Sequence, residues 1–226
     1  MIMIDKIQSF KSWTQTIITS IIGVLSGLVL KNVSSFNDIN ILLLLITIFI
    51  IILISKFTQY ILNKIIANSV KLRKLLLGKH FIEGYWIEGV IDISEVNKLE
   101  SFAIIKISYI DTYYEVSGDS YSTNGKLRGS FQSIYSDYEK YHLRYSYKGI
   151  NSEHNEADVI GNAEIKFSPS NKYPVRLTGN LIDNFHKERV MITAEKLDEI
   201  VVEKIDMARG KDRVKLIKDY LEGIDI

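Results

Sequence analysis

The chain has no cysteine and only 2 prolines among its 226 residues. Without cysteine there are no disulfides, thiol nucleophiles or cysteine metal sites, which is compatible with a reducing compartment. An excess of charge of one sign is also lacking, because 28 basic residues offset 27 acidic ones, for a net charge of +1. No overall field therefore favours a DNA or RNA polymer, and an anionic ligand has to be recognised locally.

Catalytic motifs are lacking as well. The sequence has no GxSxG elbow, no Walker lysine loop, no HExxH pair and no dinucleotide fingerprint. The histidines, His80, His142, His154 and His186, stand in different turns or strands without the spacing of metal ligands. We therefore predict a protein that is not an enzyme and that needs neither a metal nor another cofactor.

Two long apolar runs occupy the N-terminal third. Residues 13–30 are uncharged and mostly apolar, and residues 39–54 are more apolar still. A helix rises about 1.5 Å per residue, so each run approaches the roughly 30 Å hydrocarbon core of a bilayer. We expect two transmembrane helices within residues 1–77, the second continuing along the membrane surface until Gly78. A cleaved signal peptide is the alternative for the first run, but a convincing cleavage site is lacking.

Basic residues near the ends of these runs predict their orientation. Lys6 and Lys11 precede the first run, and several more follow the second, whereas Lys31 is the one basic residue between them. Because basic residues stay on the cytoplasmic side, both termini belong in the cytoplasm and residues 31–38 form the turn on the far side. The expected protein is therefore a multi-pass membrane protein.

Small residues follow one face of the first apolar helix. They are Thr16, Ser20, Gly23 and Gly27, and the last two form a GxxxG match. Such a face allows close helix packing. It fits either packing against the second helix of the same chain or assembly between protomers, and the sequence leaves both open.

From His80 onward, short runs rich in Tyr, Ile, Val and Phe alternate with turn residues. This pattern predicts an antiparallel sheet of about eight strands, which suits a small closed barrel, with an open sandwich as the alternative. We place one of the turns at Ser136–Asp137. The strands are expected to begin near Phe81, Phe102, Tyr113, Leu127, Tyr141, Asp158, Val175 and Arg189.

The predicted fold is thus a membrane-anchored α+β protein with two domains. Residues 1–77 form the transmembrane hairpin with its juxtamembrane helix. Residues 78–226 form a cytoplasmic closed antiparallel β-barrel that ends in two short amphipathic helices, separated at Gly210. Glycines inside the strand patterns mark bulges, bends or close backbone approach. They are Gly84, Gly118, Gly129, Gly161 and Gly179.

The barrel region also holds most of the 13 tyrosines, with arginines in nearby strands. Tyrosine faces stack on bases and guanidinium groups bind phosphates, so this mixture favours a nucleotide-like ligand. The candidate phosphate ligands are Arg128 and Arg144, and the candidate stacking residues are Tyr121, Tyr145 and Tyr147. Arg144 and Tyr145 point to opposite faces of one strand, so both line one lumen only if a bulge intervenes.

Gly84-Tyr85-Trp86 opens the first strand and is similar to the G-x-W signature of lipocalin-like barrels, in which the tryptophan closes one end. We therefore assign Trp86 to the closed end of the barrel. A second hypothesis follows, in which the protein is a membrane-anchored, lipocalin-like carrier or sensor of an apolar small molecule.

The tight helical hairpin, the Gly84-Tyr85-Trp86 segment and the glycine-punctuated hairpin at residues 114–129 together resemble the SMODS-associated two-transmembrane, β-strand-rich effectors of bacterial CBASS antiphage systems. This resemblance covers nearly the whole chain. It implies that a cyclic oligonucleotide, made by an infection-activated CD-NTase, binds the barrel. Protomers would then assemble into a homo-oligomer, and their helices would disrupt the bacterial inner membrane to kill the infected cell.

Overall fold

The computed structural model describes residues 2–31, 38–92, 98–110, 113–152, 157–171, 173–184, 189–208 and 211–222. Their contacts divide the chain into two compact units, Ile2–Leu77 and Gly78–Ile226. The first unit is helical, and the second holds all the described strands. Residues 32–37, which include most of the predicted turn between the apolar helices, lie outside the described residues.

The helical unit consists of α1 (Ile2–Lys31), α2 (Asp38–Asn68) and α3 (Val70–Leu77). Within the described residues, one stretch is long and apolar enough to cross a bilayer, namely the 24 residues Leu45–Asn68 of α2. Its large apolar side chains, such as Phe49 and Phe57, are exposed on the unit, as contact with lipid requires. The first predicted run is helical within α1, and its crossing of a membrane stays a prediction.

The break between α2 and α3 lies at Ser69 and is held by Arg73. The buried Arg73 guanidinium donates to the carbonyl of Ile66 at 2.7 Å and also to the carbonyl of Ala67. These carbonyls belong to the last turn of α2, where no intrahelical donor reaches them. Arg73 therefore caps α2 while its own backbone continues the chain into α3.

The second unit is a closed barrel in which eight antiparallel strands each pair with the next and β1 pairs with β8. This confirms the predicted closed barrel over the open sandwich. The strands start within four residues of the expected positions, the largest difference being Lys98 against Phe102. They are β1 (Gly84–Asp92), β2 (Lys98–Ile110), β3 (Tyr113–Ser122), β4 (Leu127–Glu139), β5 (His142–Asn151), β6 (Ala157–Phe167), β7 (Arg176–Asp183) and β8 (Val190–Lys196).

The turn predicted at Ser136–Asp137 is wrong, because β4 continues through both residues. A β-bulge between Ser133 and Tyr135 shifts the alternation of β4 by one residue, and Tyr138 is buried inside the barrel. The chain turns instead at Lys140 and Tyr141, whose φ angles are 49° and 72°. Positive φ at both central residues is the geometry of the two-residue hairpin whose twist matches that of its strands. Tertiary pairing therefore extends β4 past a polar pair that looks like a turn.

Glycine allows neighbouring strands to approach closely, as the sequence predicts. A Cβ at Gly129 would lie 2.0 Å from the carbonyl oxygen of Ile150, and one at Gly179 would lie 2.3 Å from that of Glu164. These atoms belong to the adjacent backbone, which side chains cannot displace cheaply. Gly84 differs, because its φ of +125° is itself closed to most other residues.

One end of the barrel is filled by an aromatic cluster around Trp86. The indole is fully buried and donates to the carbonyl of Ile82 at 3.0 Å. Its ring meets Phe167 edge-on at 5.2 Å between centroids, and Phe167 meets Tyr138 in the same way at 6.0 Å. The Nζ of Lys196 lies 5.3 Å from the Trp86 centroid, within range of a cation–π interaction. Trp86 thus closes this end, as predicted.

Two C-terminal helices, α4 (Glu199–Met207) and α5 (Lys211–Glu222), confirm the predicted amphipathic pair. They pack against the outer face of the sheet and not across an end of the barrel. The shared core joins β1, β2 and β3 to the helices and contains Ile87, Phe102, Tyr121, Leu197, Val202, Ile205 and Ile217. One wall of the barrel is therefore covered on both sides.

Candidate functional site: a polar cavity in the barrel

A cavity of about 100 Å³ lies inside the barrel at the end opposite the Trp86 cluster. Its walls come from alternate residues of the strands, because side chains of successive strand residues point to opposite faces. Apolar residues such as Val90, Ala103 and Val159 form part of the wall. The polar and aromatic part consists mainly of Glu88, Arg128, Phe131, Tyr145, Tyr147, Asn151 and Asp183.

Glu88 is the least expected member of this wall. Its side chain on β1 is 3% exposed, and its Oε2 has no hydrogen-bond partner among the described residues. Burial disfavours the charged carboxylate and raises the pKa of Glu88 from 4.5 to about 7. The cavity therefore holds an acid that is close to half-ionised near neutral pH.

Tyr147 and Asp183 form a second polar pair in the cavity wall. The Tyr147 hydroxyl donates to Oδ2 of Asp183 at 3.0 Å. Burial, with the neighbouring Asp183 charge next, raises the pKa of Tyr147, so the phenol stays neutral. Gly161 makes room for this ring, because a Cβ there would lie 2.5 Å from the Tyr147 hydroxyl. The Tyr147 ring is thus held at a defined place on the wall.

Tyr145 lies one pleat from Tyr147 on the same strand, with 6.0 Å between ring centroids. Burial first, and the charge of Glu88 second, raise the pKa of Tyr145 well above its ordinary value. The ring of Phe131 on β4 lies beside that of Tyr147 on β5, with 5.4 Å between their centroids. These three rings give the cavity aromatic surface on which a planar group can pack.

Arg128 reaches the cavity because of a β-bulge. Ser120 pairs with Gly129 and Tyr121 pairs with Leu127, so Arg128 is the extra residue between them. Its Nη1 lies 3.4 Å from Oε1 of Glu100 on β2, and the Arg128 side chain is 22% exposed. A guanidinium at this place can meet an anionic group at the edge of the cavity.

Three of the five predicted ligand-binding residues line the cavity, namely Arg128, Tyr145 and Tyr147. Arg144 lies on the outer face, where its Nε binds Oε1 of Glu164 at 3.0 Å and 61% of the side chain is exposed. Tyr121 stacks on Phe102 in the core shared with α4 and α5. The structure therefore does not bring the five together, and whether any of them binds a ligand stays a prediction.

The predicted helix-packing residues lie along α1. Thr16, Ser20, Gly23 and Gly27 are all exposed on the helical unit. Apart from the backbone of α1 itself, no described atom lies within 4 Å of a Cβ built at Gly23 or Gly27. Among the side chains that the structure describes, none of α2 therefore packs against these two glycines.

Residues that the sequence analysis did not single out include Glu88, Phe131, Asn151 and Asp183. A signal for Glu88 was present, because it lies two residues from Trp86 on one strand and must share its inward face. A carboxylate beside a tryptophan that closes a barrel is a buried acid. The bulge that brings in Arg128 lies beside Gly129, one of the glycines that mark a bulge, bend or close approach in the sequence.

Metal ligands do not cluster in the part of the chain that the structure describes, where no group of three or more His, Asp or Glu side chains is placed to hold an ion. His154 and His186 lie outside the described residues. The cavity offers instead one unpartnered carboxyl, aromatic faces and a guanidinium at its edge. Comparisons with protein-family models, with curated proteins and with solved structures found no match to this chain.

Proposed function

We propose that this protein is a membrane-anchored receptor that binds a cyclic oligonucleotide through its barrel and acts on the bacterial inner membrane as an antiphage effector. The observation that carries the receptor part is the lumen cavity, which combines aromatic walls, a buried acid and Arg128 at its edge. Aromatic faces and guanidinium groups are the usual contacts for bases and phosphates. The effector part rests on the resemblance to CBASS effectors.

The size of the cavity limits how such a ligand binds. Small-molecule sites usually enclose about 300–1,000 Å³, whereas this cavity measures about 100 Å³. A whole cyclic dinucleotide exceeds this volume, so only a part of it, such as one planar base, can lie inside the barrel. We therefore propose that one base enters the lumen against Tyr145 and Tyr147 while a phosphate meets Arg128 outside.

The alternative, a carrier or sensor of an apolar molecule, is less well supported by the cavity. An apolar ligand would shield Glu88 from water without offering it a hydrogen bond. A buried polar group left unpaired in this way costs about 1–3 kcal/mol, and more if it is charged. The buried acid therefore favours a ligand that carries hydrogen-bond donors.

Ligand binding is proposed to act on the membrane by favouring an assembled state of the protein. A shift from a rare to a dominant assembled state requires a difference in binding free energy of about 5.5 kcal/mol between the two states. The exposed small-residue face of α1 allows close helix approach between protomers. We propose that α1 and α2 both cross the bilayer and that this face forms the contact between the α1 helices of several protomers. The assembled helices would then disrupt the bilayer.

The receptor function predicts a ligand-dependent rise in melting temperature. The full chain in detergent is titrated with a panel of cyclic di- and trinucleotides while its melting is followed by circular dichroism. A ligand bound only to the folded state stabilises by RT ln(1 + [L]/Kd), about 2.7 kcal/mol at 100 times Kd. We expect a saturable rise with at least one member of the panel and none with the corresponding linear mononucleotides.

No rise with any cyclic nucleotide, in a chain that melts cooperatively, would contradict the receptor proposal. In that case, native mass spectrometry of the purified protein distinguishes the carrier alternative. A neutral apolar molecule that stays bound to the protein would favour it.

The assembly step predicts that bulk on the small-residue face abolishes killing but not binding. In the double variant Gly23→Leu and Gly27→Leu, isobutyl groups prevent close helix contact. We expect loss of toxicity in cells that produce the ligand, with the ligand-induced melting shift unchanged. The control is Ile17→Leu with Val24→Leu, which changes two exposed apolar residues of α1 without adding bulk at a glycine. Undiminished killing by the glycine variant would refute assembly through this face.

A further inference from the structure

We propose that Glu88 is the residue that selects the ligand, and that its carboxylate accepts two hydrogen bonds from a planar group with adjacent N–H donors. Among nucleobases this group is the N1–H and N2–H edge of guanine, and among small organic cations it is a guanidinium. The guanine form of the inference rests on the proposed receptor function and deepens it. The donor chemistry at Glu88 rests on the cavity alone.

Glu88 lies in the wall of the barrel cavity, away from solvent. Only 3% of Glu88 is exposed to solvent. Its Oε2 has no hydrogen-bond partner among the described residues. Buried carboxyl groups in native proteins are nearly always hydrogen-bonded, because leaving one unpaired is costly. An orphaned carboxyl oxygen in a cavity wall therefore indicates a donor that arrives from outside the chain.

Two polar groups of the cavity wall are already engaged with other side chains. The hydroxyl of Tyr147 donates to Asp183. The guanidinium of Arg128 binds Glu100. The cavity wall therefore holds a free acceptor at Glu88, while Tyr147 and Arg128 have partners of their own.

The geometry of a carboxylate determines which donors it can bind. An ionised carboxylate only accepts hydrogen bonds, and its two oxygens match two parallel N–H donors. Guanine presents such a pair at its Watson–Crick edge. Adenine and cytosine each place a ring acceptor next to the amino group, and uracil flanks one N–H with two carbonyls. The paired donors of guanine are thus the nucleobase edge that satisfies both oxygens of Glu88.

Ligand binding at Glu88 is coupled to the protonation of its carboxyl group. Burial raises the pKa of Glu88 to about 7, and the bound form requires the ionised carboxylate. The other titratable groups that face the cavity are Tyr145 and Tyr147 on β5, Asp183 on β7 and Arg128 on β4. Among the described residues, those of β2, β3 and β6 that line the cavity have no titratable side chain. Since burial raises the pKa of both tyrosines, they stay neutral while Glu88 titrates.

The experiment measures the affinity of the full chain in detergent for three probes: cyclic di-GMP, cyclic di-AMP and agmatine, which carries a guanidinium. We expect cyclic di-GMP to bind at least about tenfold more tightly than cyclic di-AMP, since one lost hydrogen bond to a charged group changes affinity by that order. Affinity for cyclic di-GMP should fall about tenfold between pH 8 and pH 6, as the ionised fraction of an acid with a pKa of about 7 falls.

Two variants make the test specific to Glu88. Glu88→Gln keeps the size of the side chain but turns one acceptor into a donor, so we expect at least about a tenfold loss of affinity for cyclic di-GMP and of its pH dependence. Glu88→Asp keeps the acid one methylene further from the ligand, so it should bind more weakly but retain the pH dependence. The control is Glu164→Gln, the same change on the outer face, which should bind like the unmodified chain.

The outcomes separate this inference from the proposed function. Cyclic di-GMP bound equally by Glu88→Gln, or cyclic di-AMP bound as tightly as cyclic di-GMP, would overturn the inference and leave the receptor function standing. Agmatine bound in a Glu88-dependent way, with no cyclic nucleotide bound, would support the donor chemistry and overturn the nucleotide function. Binding of none of the three probes would overturn the inference.

Discussion

Replacing Trp86 with alanine is expected to lower the free energy of unfolding by about 3–5 kcal/mol, the usual cost of removing a large aromatic side chain from a core. Trp86 is fully buried and contacts Phe167 in the cluster that closes the barrel. The change also leaves the carbonyl of Ile82 without its donor. For a chain of this size, the melting temperature should fall by roughly 6–20 °C.

Urea-induced loss of the near-ultraviolet circular dichroism of the full chain measures this effect. The matched control is Tyr135→Ala, which removes an aromatic ring that is 64% exposed on β4. That variant should stay within about 0.5 kcal/mol of the unmodified chain, as surface changes usually do. Equal losses for the two variants would contradict the closed, tightly packed end that we describe.

The unfolding free energy should also reveal the buried acid through its dependence on pH. Because the pKa of Glu88 is about 7 in the folded chain against 4.5 ordinarily, the folded state keeps a proton that the unfolded state has lost. Stability from this group is fully present below pH 4.5 and is lost as the pH rises through 7. Between pH 4.5 and pH 7.5 the loss amounts to about 3 kcal/mol, since one pKa unit corresponds to about 1.36 kcal/mol.

Comparison with Glu88→Gln isolates this contribution from the other titrating groups. Relative to Glu88→Gln, the unmodified chain should lose about 3 kcal/mol of unfolding free energy as the pH rises over that range. The difference between the two chains should level off at higher pH. The exposed Glu164→Gln provides the control, with no comparable shift expected. A difference that does not change with pH would show that Glu88 titrates like an ordinary surface acid.

The barrel could be predicted because several of its strands alternate regularly. Leu143, Tyr145 and Tyr147 face inward on β5 while Arg144 faces out, and the pairing of strands preserves this arrangement. Turn positions were less predictable, since the polar pair Ser136–Asp137 continues β4 where strand pairing outweighs local turn preference.

The candidate site could be predicted only in part, because composition does not reveal which strand faces meet. Tyr145 and Tyr147 line the cavity, but Tyr121 faces the C-terminal helices, a location that depends on tertiary packing. Arg128 reaches the cavity through a bulge, which shifts the alternation by one residue. The inward position of Glu88 could be predicted from the alternation that begins at Trp86. Its lack of a hydrogen-bond partner, however, depends on the neighbouring strands and appears only in the structure.

The central claim is that the ligand binds inside the barrel, and two adjacent residues of β6 test it most directly. Val159 lines the cavity, whereas Ile160 is 56% exposed on the outer face. Each is replaced by tryptophan, and the full chain is titrated with the cyclic nucleotide that raises its melting temperature. Binding in the lumen predicts that Val159→Trp, still cooperatively folded, loses the ligand-induced rise while Ile160→Trp keeps it. A full rise in both variants would contradict binding in the cavity.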